Sequence, residues 1–146
     1  MRYTILTGII CFFLASCNKD KFSTRPQLTF KSVNTEVVSK PSIFKMTLSF
    51  TDAEGDIEDS LFIFKVTRNC PQSDIDLKYK IPPFPLKKNL QGDIEVTYAY
   101  GTLSAPAIPG PLCSGVNDTC IFRFVLRDKA LNKSDTVNSP TIVIVQ

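Results

Sequence analysis

Between Asp52 and Asp59 the chain carries five carboxylates, Asp52, Glu54, Asp56, Glu58 and Asp59, with Gly55 in their midst. Oxygen donors at that density can hold a hard cation, since calcium takes about six to eight oxygens from carboxylates, carbonyls and water. Gly55 lets the backbone turn so that carbonyls face inward. The spacing and the missing terminal glutamate do not match an EF-hand. Asp128, in "RDKALNKS", joins the set if the fold brings the two loops together. The candidate ligands are therefore Asp52, Glu54 through its side chain or carbonyl, Asp56 and Asp128, with calcium as the ion. The competing reading is a solvated turn, because Asp and Gly are what any exposed strand connection favours. Arg127 or Lys129 would then supply counter-charge as readily as a metal.

Other chemistries have less to work with. The sequence contains no histidine, which removes Ser-His and Cys-His nucleophile pairs and every histidine-bearing zinc site. It calls for no cofactor. A small carboxylate-dependent glycan hydrolase is the catalytic alternative, but the acids crowd one loop instead of flanking a groove. The formal charge of +3 is small, and Lys87-Lys88 is an isolated basic pair, so no basic stripe points to nucleic acid.

The elements that would position such a loop begin after an N-terminal address. "MRYTILTGIICFFLASC" has Arg2 as a minimal positive region and an apolar run from Ile5 to Leu14 that is too short to span a bilayer. Leu14-Ala15-Ser16-Cys17 resembles the lipobox of bacterial lipoproteins: an aliphatic residue, two small residues and a cysteine. The resemblance implies cleavage before Cys17 and a lipid on its sulfur, with acyl chains holding the protein at about 0.8 kcal/mol per buried methylene. Residues 1–16 are then a signal peptide, and 17–27 a lipidated cysteine with a polar tether. The expected location is the bacterial cell envelope, anchored to the outer membrane through Cys17, with either face open.

From Leu28 to Gln146 the pattern has period two. Phe44, Met46, Leu48 and Phe50 alternate with polar residues, as one buried strand face requires. "SLFIFKVT" sets Phe62, Phe64 and Val66 on one side, and "DLKYKI" alternates before stopping at Pro82-Pro83. "DIEVTYAY" aligns Ile94, Val96, Tyr98 and Tyr100, "TCIFRFVLR" aligns Cys120, Phe122, Phe124 and Leu126, and "TIVIV" closes the chain. With "LTFKSV" this makes about seven short strands and no helix, the count and spacing of one all-β, immunoglobulin-like antiparallel sandwich over 28–146. A small barrel is the alternative. The absence of tryptophan excludes the antibody-type core. "IPPFPLKK" reads as a rigid crossover, with proline-rich recognition as the rival.

Two further resemblances bear on this. "VLRDKALNKSDTVNSPTIVI" resembles the last two strands of bacterial immunoglobulin-like domains, with Leu131 standing where that pattern has glycine, so a looser turn is expected. "FTDAEGDI" resembles the acidic loop of small Bacteroidota lipoproteins, with Glu54 replacing the middle aspartate. The chain as a whole reads as a non-catalytic binding or structural accessory module, with the membrane and a protein or glycan of the envelope as partners. In such a sandwich the acidic loop and the "RDKALNKS" loop lie at the same end.

Exported cysteines are usually bridged. With Cys11 in the signal and Cys17 lipidated, Cys70, Cys113 and Cys120 remain. The short loop favours Cys113–Cys120, with Cys70–Cys113 as the alternative.

Overall fold

The computed structural model describes residues 22–102 and 106–146. Cys17 and the segment read as a signal peptide lie outside the described residues. In strand β3 (Ser42–Asp52) the alternation is one-sided: Phe44, Met46, Leu48, Phe50 and Asp52 are buried, and the residues between them are not. It sits between β1 (Gln27–Val33) and β6 (Leu90–Tyr100), antiparallel to both, in a sheet of order β1-β3-β6. The second sheet runs β2 (Val37–Val38), β9 (Ile142–Ile144), β7 (Asp118–Arg127), β4 (Ser60–Thr67) and β5 (Ile75–Lys80). Strand β8 (Val137–Asn138) continues the β9 line along β7, interrupted at Pro140, which has no N–H to give to a ladder. Strands β2 and β9 pair in parallel.

The two sheets close on each other through aromatic contacts. Phe44 meets Phe122 at 5.6 Å between ring centroids, and Phe30 meets Phe124 at 6.1 Å. Leu48, Ile63, Leu126, Ile142 and Ile144 fill the space around them. The architecture is an immunoglobulin-like antiparallel β-sandwich. Strand β5 stays hydrogen-bonded to β4 instead of crossing to the other sheet. As a result β5 and most of β6 are both sheet edges, and the sandwich is open between them. "IPPFPLKK" is the crossover that spans this opening.

Phe62, Phe64 and Val66 share one side of β4, as the alternation sets them, and the structure decides which side faces the core. Phe62, Phe64 and Val66 take the outer, half-buried face of β4, while Leu61, Ile63, Lys65 and Thr67 point inward. Leu61 opposite Leu126 and Ile63 opposite Phe124 complete the core, and Lys65 is accommodated by Asp118. Outside, the Phe62 ring is covered by Lys78, Arg127 and Lys133. The disulfide expectation is corrected: the bridge joins Cys70 to Cys113, the alternative pairing, and leaves Cys120 a buried free thiol. Cys120 shares the inward phase of Phe122 and Phe124, so its sulfur is sealed between the sheets. The Cys113 segment runs outside, where the Leu112 N–H donates to Ser73 Oγ at 2.9 Å, beside the short turn at Pro71–Ser73 that begins at Cys70. Side-chain direction overrides the ease of closing the shorter loop.

Candidate functional site

The end of β3 and the end of β7 meet at one pole of the sandwich. Asp52 is the last residue of β3, and Asp128 follows the last residue of β7. Both are fully buried. Asp52 turns the chain on itself: its Oδ2 accepts the N–H groups of Glu54 (3.1 Å), Gly55 (2.5 Å) and Asp56 (3.3 Å). Gly55 has φ +73°, and a Cβ there would fall 2.0 Å from the Lys87 carbonyl oxygen, so this turn admits glycine alone. Asp128 makes the matching turn on the other loop, accepting the Asn132 N–H at 2.7 Å and the Asn132 side-chain amide at 2.9 Å. The loops are stitched together by the Lys129 N–H, which donates to the Asp56 carbonyl at 2.9 Å.

The structure therefore brings Asp52, Asp56 and Asp128 together, with one carboxylate oxygen from each within 4.8 Å of the others. Glu54 is not among them. Its N–H is spent on Asp52, and its side chain is exposed to solvent. The two cations that could have neutralised the cluster are engaged elsewhere, Arg127 with Asp59 and Lys129 with Glu58. Asp52 Oδ1 and Asp56 Oδ1 are buried with no hydrogen-bond partner. Burial pushes the Asp52 pKa above the usual carboxylate range, and the charges of Asp56 and Asp128 add to that shift against the backbone donors.

Against the same loop lies a second feature, which the sequence did not disclose. The opening between β5 and β6 is a cleft of about 730 Å³ whose walls include Phe50, Ile57, Leu61, Tyr79, Ile94 and Tyr98. Pro82, Pro83 and Phe84 of the crossover line its mouth. The Phe84 N–H donates to Glu58 Oε1 at 2.8 Å, which ties the crossover to the acidic loop. Ile57, one residue beyond Asp56, is buried and forms part of the wall.

The polar groups of this cleft are few. Tyr98 is 2% exposed, and its hydroxyl has no hydrogen-bond partner. Burial drives its pKa far above the ordinary phenol value, and the neighbouring Tyr79 adds to the shift. The two hydroxyls stand close without a hydrogen bond of full geometry between them. An orphaned buried hydroxyl costs about 1–3 kcal/mol. Tyr100, on the same face, packs differently: its hydroxyl donates to the Val145 carbonyl. The acids along the cleft, Asp93 and Glu95, both come from β6 and pair with Lys31 and Lys45. They do not face a second acid across a groove. The sequence signal for the cleft was weak, because Tyr98 reads as ordinary core on an alternating strand.

No family model matches the chain, and no curated protein matches it. Among solved structures, a Niemann-Pick type C2 protein from Japanese carpenter ant is similar at 11% identity and a TM-score of 0.45, over 82% of this chain and 93% of that one. At that identity and score the likeness carries nothing about activity or ligand.

Proposed function

We propose that the chain is a non-catalytic, lipid-anchored envelope module that binds an elongated apolar molecule carrying one hydroxyl or carbonyl oxygen. The observation that carries this reading is the apolar cleft between β5 and β6, with Tyr98 among its lining residues and the Tyr98 hydroxyl buried without a hydrogen-bond partner. Its volume lies within the roughly 300–1,000 Å³ usual for small-molecule sites, and mostly apolar walls with few convergent polar groups are the usual composition. A ligand oxygen at Tyr98 would satisfy a group that is otherwise buried at a cost. A glycan, which needs many hydrogen-bond partners, matches these walls poorly.

The anchor supports the same reading. Cys17 lies five residues before Phe22, a reach of at most about 18 Å. The chain enters the sandwich at the acidic pole, where the Ser23 carbonyl accepts the Ala53 N–H at 3.0 Å. A lipid on Cys17 would keep that pole, and the adjoining end of the cleft, close to a bilayer.

The test uses purified full-length protein and the apolar dye N-phenyl-1-naphthylamine. The expected result is saturable binding of one dye per chain, reversed by a long-chain fatty alcohol. Ile94→Trp, which fills the cleft from an edge strand, should abolish it. Tyr98→Phe should weaken the alcohol about fivefold and leave the dye unchanged, as the loss of one hydrogen bond of about 1 kcal/mol implies. Absence of saturable binding, or binding indifferent to Ile94→Trp, overturns the ligand assignment. For the anchor, Cys17→Ala should abolish labelling by a fatty-acid precursor in cells, and labelling that persists rejects the lipobox.

A further inference from the structure

We infer that Asp52, Asp56 and Asp128 form a calcium site that locks the loop after β3 to the loop after β7. Clustered acids are common on surfaces without any ion. Here, however, two of the three are fully buried, and two carboxylate oxygens, Asp52 Oδ1 and Asp56 Oδ1, are buried without a donor. A buried acceptor left unmade is costly, and a carboxylate more so than a neutral group. Among the described residues no ion pair reaches any of the three aspartates, since Arg127 and Lys129 are held by Asp59 and Glu58.

The geometry fits one ion. Calcium–oxygen bonds of about 2.3–2.6 Å place two oxygens of one ion no more than about 5 Å apart. The three carboxylate oxygens lie within 4.8 Å of one another. Hydrogen bonds already fix two of these side chains: Asp52 Oδ2 holds three backbone N–H groups, and both Asp128 oxygens accept from Asn132. Each of these two side chains is thus positioned by its own loop before any ion arrives. Three carboxylates leave the remaining coordination to water and carbonyls, which suits calcium better than magnesium with its stricter octahedral demand.

The site is separate from the apolar cleft in chemistry, and its test needs no cleft ligand. Full-length protein stripped with EGTA is titrated with calcium chloride by calorimetry, and its thermal unfolding is followed with and without the ion. The expected result is one calcium per chain, with the folded-to-unfolded ratio raised about 100-fold at a hundredfold excess over Kd. Magnesium chloride should bind at least tenfold more weakly. Asp52→Asn keeps an oxygen for the three backbone donors, so it preserves the turn while removing a charged ligand. Asp56→Asn removes a charged ligand from the half-buried position. Each should weaken calcium at least tenfold. Wild-type protein that neither binds calcium nor gains melting temperature from it overturns the proposal. So does calcium binding left intact in both variants, which places the ion elsewhere.

Discussion

Lys65 and Asp118 face each other inside the sandwich, Nζ 2.5 Å from Oδ2, with side chains 1% and 0% exposed. Strand β4 has apolar residues on both faces, so alternation alone leaves its orientation undecided. Facing Phe62, Phe64 and Val66 inward would spare the lysine from burial. The chain instead buries Lys65, because the first residue of β7 supplies a carboxylate for it.

Removing one member of this pair strands the other. Lys65→Met should destabilise the protein by about 3–5 kcal/mol, since the Asp118 carboxylate would be left buried without its partner. Lys65→Met/Asp118→Leu should recover most or all of that loss, because a well-packed apolar pair is often as stable as a buried ion pair. Urea denaturation of the two variants and the wild type measures both effects. A double variant no better than the single one would mean that the pair has little energetic coupling.

The Cys70–Cys113 bridge spans a sequence separation of 43, for which the loop-entropy relation gives about 4 kcal/mol. Cys113→Ser should therefore lower the denaturation midpoint substantially. Non-reducing peptide mapping should show Cys70 joined to Cys113 and Cys120 free. Burial pushes the Cys120 thiol up to about 11, so iodoacetamide should modify it only after unfolding. Rapid modification of the native protein at Cys120 would contradict its placement between the sheets.

Leu131 adopts φ +69° with its side chain 65% exposed. The turn is thus as tight as glycine would allow, contrary to the looser loop expected of a leucine at this position. A left-handed conformation costs a non-glycine residue about 1–2 kcal/mol, and glycine returns about 0.5–1 kcal/mol through the entropy of the unfolded chain. Leu131→Gly should accordingly stabilise the protein by about 0.5–1 kcal/mol, measured by urea denaturation. Leu131→Ala keeps the strain and should give no gain.

What the sequence disclosed depends on where each residue's environment is decided. The one-sided alternation of Phe44, Met46, Leu48 and Phe50 states the orientation of β3 outright, and an antiparallel sandwich then carries the β3 and β7 loops to a common pole. Asp52, Asp56 and Asp128 were legible for that reason. Glu54 was not separable from them, because only the folded turn shows its side chain directed to solvent and outside the cluster. The inward phase of Cys120 with Phe122, Phe124 and Leu126 was visible, and it outweighs loop length as a guide to pairing. The cleft was out of reach, since it exists only because β5 stays with β4 and leaves β6 an edge. No local pattern encodes which sheet a middle strand joins.

Asp59 gives the acid limb of stability a test with a definite sign. The Arg127 guanidinium bonded to its carboxylate holds the Asp59 pKa below the ordinary range. Arg127 is itself placed by the Phe62 ring, 5.3 Å from its guanidinium carbon. Because the folded value is depressed, the unfolded chain takes up the proton first as pH falls. The pair's contribution is therefore present above the unfolded value of about 3.9 and is lost as pH drops through the lower folded value. Asp59→Asn should melt at a lower temperature than wild type at neutral pH, and the gap should close progressively below about pH 4. Other carboxylates titrate over the same range, so the variant-to-wild-type difference, followed by circular dichroism melts across pH, is what isolates Asp59. A gap that stays constant into acid would show that the substitution acts through packing and not through the Arg127 pair.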